Sequence, residues 1–225
     1  MTGPTAPDRA PLLIWGASGH AKVVADAAAQ MGTFRVTGFI DDVAPERSGS
    51  LFAGLTILGG AERLAQARTN GVRHIAIAIG DNATRLRIGD RARQAGFVLA
   101  TIVHPKAVVA QNVSLGDGVF VAAGAILNPD VTCEELVIVN TGATVDHDCR
   151  LARGVHVSPG AHLAGRVTVG ARTWIGIGAA VRDGVSIGAD SVVGAGGVVI
   201  RDLPGGITAY GVPAVQQRPR SEERR

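Results

Sequence analysis

The chain has 225 residues, enough for one large domain or two small ones with a real core. Glycine is abundant at 31 residues and aromatics make up only 4%, so the core has to be built from Val, Ile, Leu and Ala. A net charge of +3, part of it in the closing "RPRSEERR", argues against a broad nucleic-acid surface and leaves room for a local anion site.

The chain opens on "MTGPTAPDRAP", which has no apolar signal core, and no stretch reaches the ~18 apolar residues needed to insert in a membrane. A cytoplasmic protein with a disordered segment at residues 1–11 is expected. The first ordered unit, residues 12–100, alternates strand and helix signals. "PLLIWG" reads as a strand, "HAKVVADAAAQMG" as a helix stopped by Gly32, and "FRVTGFID" as a second strand. The segment "DDVAPERSGSLFAGL" reads as a loop. Then follow a helix at "AERLAQAR", a strand at "HIAIAIG", a helix at "ATRLRIGDRARQAG" and a strand at "FVLATIV". This α/β alternation predicts a short, Rossmann-like parallel sheet with helices packed on it.

From Val103 the pattern changes to a strict period of six. Every sixth residue up to Val199 is apolar, including Leu127, Cys133, Val145, Leu163 and Ile187. A second row, four residues further on, holds small or β-branched residues such as Ala125, Cys149 and Ala161. Such hexads make the short faces of a β-helix, with both rows turned inward and three hexads to a coil. Residues 101–215 are expected to form this domain with its closing loop, and 216–225 a charged tail. Both cysteines fall on inward rows, so no disulfide framework is implied.

The hexads, read as [LIV]-G-x-x-[small]-x, resemble the hexapeptide-repeat acyltransferases with a left-handed parallel β-helix. The N-terminal stretches "IWGASGHAKVVAD", "GFIDD" and "AIGDNATR" narrow the resemblance to the NeuD/PglD-type sugar acetyltransferases. That family contains nucleotide-aminosugar N-acetyltransferases and sialic-acid O-acetyltransferases. It implies acetyl-CoA as co-substrate, a nucleotide sugar as acceptor and a homotrimer with active sites between neighbouring prisms.

The stretch Gly16-Ala17-Ser18-Gly19-His20-Ala21 is not the dinucleotide fingerprint, which needs glycine at its third and sixth positions. A Gly-rich turn at a helix start still exposes amides suited to phosphate. By resemblance Ser18, Gly19, His20, Asp41, Asp42 and Gly80 are expected at the nucleotide sugar.

The stretch "NTGATVDHDCRLARGVHVSPGAHLAG" holds three of the six histidines. The register turns Val145 and Cys149 inward, so His147 points out of the prism. Imidazole can take a proton from an attacking amine near neutral pH, which suits acetyl transfer from a thioester. Asp148 matches the acidic residue that follows the family's catalytic histidine, though some relatives carry glutamate there; Asp146 is an alternative partner for the ring. Asp, His and Asp in adjacent positions converge poorly on one ion, and no Cys-His zinc spacing appears, so no metal is expected. His156 also points outward by register, and the resemblance puts it near the acetyl-CoA thioester. Gly165, Ile177 and Ala195 are expected acetyl-CoA contacts on the same basis. His162 points outward, with no role to carry over. The expected function is N-acetylation of a nucleotide-linked 4-amino-4,6-dideoxy sugar. Sialic-acid O-acetylation and a non-catalytic nucleotide-binding β-helix are the alternatives.

Overall fold

The computed structural model describes residues 9–217; residues 1–8 of the expected disordered segment 1–11, and residues 218–225 of the expected charged tail 216–225, lie outside the described residues. The α/β unit starts at β1 (Ala10–Trp15), two residues before its expected boundary, and continues with α1 (Gly19–Met31) and β2 (Phe34–Ile40). Next come β3 (Leu51–Phe52), β4 (Leu55–Gly59), α2 (Leu64–Thr69), β5 (His74–Ile77), α3 (Asn82–Gln94) and β6 (Val98–Leu99). The sheet order is β3-β4-β2-β1-β5-β6. All neighbours are parallel except β3 and β4. The central strand β1 is covered on both sides, which is why Leu12, Leu13, Ile14 and Trp15 form an unbroken buried apolar run.

Two details depart from the sequence reading. The expected loop after β2 contains the β3–β4 hairpin, turned by Ala53 and Gly54, both with positive φ. Its first strand has only two residues, too few to show alternation. The expected strand "FVLATIV" is split between β6 and the first β-helix strand, Ile102–Val103, and the break at residues 100–101 is the domain junction.

From Ile102 the chain winds through 17 two-residue strands, stacked in parallel on three faces of a left-handed prism. The first face holds 102–103, 120–121, 138–139, 156–157, 174–175 and 192–193; the second begins at 108–109 and the third at 114–115. Residues 18 apart therefore lie above one another, as Phe120 and Ile138 do. The inner rows from Val119 to Val199 are buried, both cysteines among them. Cutting Leu127, which is fully buried, to alanine would cost roughly 2–5 kcal/mol. Val109 is 37% exposed despite its inward register, because the first coil is the open end of the stack. At the other end Thr208–Tyr210 extends the first face, and Val215–Gln216 pairs back on it antiparallel.

The two units share their packing. Ala21, Val24 and Ala28 of α1 lie in one cluster with Ile102, Phe120 and Ile138 of the first face. Small residues on α1 let the helix sit close against both the sheet and the prism. On the other side of the sheet, α3 packs Leu86 and Ala92 in a cluster that includes Leu136 from the turn leading into the first face. The α/β domain thus covers the first face and the corner before it.

Candidate active site

His147 and Asp148 lie in the turn between the second and third faces, after the strand Thr144–Val145. His147 Nδ1 is 2.8 Å from Asp148 Oδ2. The carboxylate accepts only, so Nδ1 carries the proton and Nε2 keeps its lone pair. Asp146 does not touch the ring: its Oδ1 accepts from the His147 amide at 2.8 Å and from Asn128 Nδ2 at 2.8 Å, which fixes the turn. Those bonds hold the Asp146 carboxyl below the usual range, first through the His147 amide. Asp148 has φ 60°, a left-handed conformation that aspartate tolerates better than most residues, and its side chain swings back onto the imidazole. One coil above, Gly165 makes room for the ring. A Cβ there would come within 2.5 Å of His147 Nε2 and 2.6 Å of Cε1. Of the expected acetyl-CoA contacts, Gly165 alone shares this corner.

His20, Gly80 and His156 meet elsewhere, where the α/β domain lies on the first face. His156 does point out of the prism, but it is only 6% exposed because the other domain covers it. It is therefore a junction residue, where the sequence allowed only an outward one. Its Nε2 is 3.1 Å from Asn140 Nδ2, and its ring stacks on Trp174 with centroids 4.9 Å apart. Trp174 Nε1 donates to Ser158 Oγ at 2.7 Å. His20 stands edge-on to Phe120 at 5.3 Å. Burial, then the nearby Arg85 charge, pushes His20 down to about 4 and His156 down to about 3, so both rings are neutral at pH 7. His20 Nε2 and His156 Nδ1 are buried without a hydrogen-bond partner among the described residues. Ring nitrogens buried without a partner are uncommon, and these two lie together at the domain junction.

The remaining expected residues are spread around these centres. Ser18 precedes α1 and makes no capping bond; it and Gly19 are exposed, so the helix start stays open. Gly16 has φ 120°, and a Cβ there would come within 2.6 Å of the Ala78 carbonyl, so this turn requires glycine. Asp41 is buried, accepting from the Val43 amide at 3.0 Å and Arg47 Nη1 at 3.1 Å; its carboxylate is occupied in shaping the loop. Asp42 is more open. It accepts from the Ala61 amide at 2.7 Å and borders a cavity of about 170 Å³ at the strand ends with Trp15, Thr84, Arg87 and Arg91. Sites at the carboxyl ends of parallel strands suit a nucleotide. Ile177 and Ala195 are exposed and lie one above the other, but on the corner between the first and second faces, away from His147 in the same chain. His162 is exposed, with Nδ1 2.9 Å from Thr144 Oγ1.

Sequence reading assigned nothing to Arg85, Asn82, Asn140 or Trp174. Arg85 is 1% exposed. The available signal was helical spacing: Asn82, Arg85, Gly89 and Ala92 share one buried stripe of α3, where a charge is out of place.

Among the described residues no three His, Cys, Asp or Glu side chains gather as a metal site. A prism with an exposed imidazole–carboxylate pair, coupled to a parallel sheet whose strand ends are open, defines a hexapeptide-repeat acyltransferase. Residues 11–92 match the family model of the PglD N-terminal domain. Over 92% of this chain and 97% of the other, the structure is similar to PerB from Caulobacter crescentus, solved with CoA and GDP-perosamine, at 44% identity and TM-score 0.88. Variants of that perosamine N-acetyltransferase with one histidine changed were also solved with both ligands. The acetyltransferase domain of PglB from Neisseria gonorrhoeae, also solved with acetyl coenzyme A, is 38% identical, covering 92% of this chain and 99% of that one at TM-score 0.86. WeeI from Acinetobacter baumannii shares the fold at 24% identity and TM-score 0.84, over 92% of this chain and 99% of the other. No match was found among the curated proteins. The chain belongs to the NeuD/PglD-type sugar acetyltransferase family, whose co-substrate is acetyl-CoA.

Proposed function

We propose that the protein acetylates the amino group of a nucleotide-linked 4-amino-4,6-dideoxy sugar, using acetyl-CoA, in the cytoplasm and in the service of polysaccharide biosynthesis. The observation that carries this is the His147–Asp148 pair, with Nε2 free beside Gly165, in a chain 44% identical to a perosamine N-acetyltransferase. In the step itself the sugar amine attacks the thioester carbonyl while His147 Nε2 takes its proton. The tetrahedral species then collapses, the C–S bond breaks, and the imidazolium returns a proton to the departing CoA thiolate. Asp148 orients the ring and stabilises its charged form. Transfer is direct: Cys149, the nearest thiol in sequence, points inward, and burial pushes it up to about 11.

The acceptor binds the α/β domain through the open start of α1, with Ser18, Gly19 and His20, and through Asp41, Asp42 and Gly80 at the strand ends. The acetyl-CoA arm runs along the prism past His156, Gly165, Ile177 and Ala195. Within one chain these groups cannot form a single site. His147 sits at the corner between the second and third faces, which is the corner opposite the first face, where the α/β domain packs. The body of the prism lies between them. A homotrimer of side-by-side prisms supplies the missing proximity, bringing the His147 corner of one copy to the domain junction of the next.

The test is thiol release from acetyl-CoA across GDP-, UDP- and dTDP-linked 4-amino sugars, with free and CMP-linked sialic acid alongside. GDP-perosamine is the first acceptor to try, because the relative at 44% identity holds it. Rapid turnover on one amino sugar is expected. Activity on sialic acid alone would move the enzyme to the O-acetylating branch, and silence across the panel would favour a non-catalytic role.

A further inference from the structure

Arg85 is a buried cation with no carboxylate hydrogen-bonded to it among the described residues. Burial lowers its pKa to about 10, and it is still charged at neutral pH. The guanidinium satisfies itself with backbone carbonyls from three places. Nη1 donates to Ile79 at 3.0 Å and to Gly80 at 2.9 Å, the strand end where the acceptor is expected. Nε donates to Leu136 at 2.9 Å, and Nη2 to Gly154 at 2.8 Å, both in β-helix turns. The last donor, also on Nη2, goes to Asn82 Oδ1 at 2.8 Å. Asn82 then carries the link further, with Nδ2 donating to the Arg172 carbonyl at 2.8 Å. All five N–H groups of the side chain are used. Four bonds to the main chain do not follow side-chain rotamers, so they report the backbone positions of two domains directly. An arrangement this committed exceeds what packing α3 needs, since Leu86 and Ala92 already serve that purpose.

Building on the proposed acceptor site, we infer that Arg85 is a positioning residue for the transfer: it locks the Ile79–Gly80 strand end of the acceptor domain onto the β-helix turns at Leu136 and Gly154. His20 and Gly80 come from one domain and His156 from the other, so the junction they line keeps its geometry only while the two domains stay in register. The fixed guanidinium charge also helps to keep both histidines neutral. Such a residue touches no reacting atom. Its loss shifts the acceptor relative to the thioester, and a shift of about 1 Å is enough to cost roughly 10²-fold in rate.

The experiment compares wild type with Arg85→Ala by steady-state kinetics on both substrates, with circular dichroism and size confirming fold and assembly. The expected result is a split. The KM for acetyl-CoA, which binds along the prism, stays near the wild-type value, while kcat/KM for the nucleotide sugar falls about 10²-fold. Millimolar guanidinium, far below denaturing concentration, is expected to restore part of the loss by filling the vacated carbonyl cradle. A folded variant with wild-type kcat/KM would overturn the inference. So would a KM for acetyl-CoA that rises as much as the KM for the nucleotide sugar, with guanidinium restoring nothing. If Arg85→Ala fails to fold, Asn82→Ala removes one of the five acceptors and the bond to Arg172; the same split is expected at about 10-fold, and its absence counts against the inference. Hydrogen exchange separates this inference from the functional reading. Should wild type acetylate nothing in the panel, the acceptor assignment fails, yet amides at 76–82 should still exchange faster in the variant while those at 180–199 stay unchanged. Unaltered exchange at 76–82 would sink the clamp whatever the substrate.

Discussion

His147 and His156 stand half a coil apart on one polypeptide, and their surroundings are opposites. The His147 side chain is 46% exposed and rests on a carboxylate; His156 is 6% exposed, unpaired at Nδ1 and stacked on an indole. The corner supplies a basic nitrogen at the surface, where a proton can be taken up and released. The junction supplies rings held neutral by burial and by a neighbouring cation, suited to binding. The hexad repeat builds both with the same backbone, and only what packs on the outside differs.

The contrast makes sharp predictions. The largest effect is expected from His147→Ala: turnover down by about 10² or more, with both substrates still bound and the melting temperature nearly unchanged, since an exposed side chain contributes little to folding. Kinetics beside calorimetry would check it, and unchanged turnover would remove the base from the mechanism. Gly165→Ala comes next. The new methyl would fall within 2.5 Å of His147 Nε2, so the ring must move, and a loss in kcat of roughly 10- to 10²-fold is expected with acceptor affinity intact. Asp148→Asn should cost less, about 10-fold, because asparagine keeps the left-handed turn and a hydrogen-bonding oxygen but loses the charge. Asp146→Asn should leave kcat within about 3-fold, since that side chain braces the turn and not the ring. If the two variants exchanged behaviour, the ring would be oriented from the other side.

The smallest effect concerns stability at the junction. His20 and His156 have folded-state values of about 4 and about 3, below the ordinary 6.5, so the unfolded chain binds protons more readily. Their contribution is complete above pH ~6.5 and is lost as the pH falls towards 4 and then 3. Melting temperature followed from pH 7.5 to 4.5 should decline, and His156→Gln should flatten part of the slope. A slope identical to wild type in that variant would mean that His156 is not desolvated.

The β-helix could be read in the sequence because its two inward rows repeat over 17 hexads without a charged interruption, a constraint that only a stacked coil imposes. The outward direction of His147 followed from the same register. Periodicity gives direction but not cover, and so it could not separate the exposed corner at His147 from the covered face at His156. The same count of three hexads to a coil already sets Gly165, 18 residues on, directly above His147, and Ile177, 30 residues on, at another corner. Arg85 was hidden for a different reason. It sits among the arginines of "ATRLRIGDRARQ", where a charged helix face is the ordinary reading, and only the apolar company of its stripe marks it as buried.

Everything turns on whether the two kinds of site act together between copies. The direct measurement is complementation: His147→Ala, which keeps the junction, is co-assembled with His20→Ala, which keeps the corner, and acetyl transfer is followed in the mixture. If the corner of one copy serves the junction of the next, two inactive parents will give a clearly active mixture once mixed trimers are shown to form. If mixed trimers form and remain as inactive as their parents, corner and junction belong to no shared site, and the account fails at its centre.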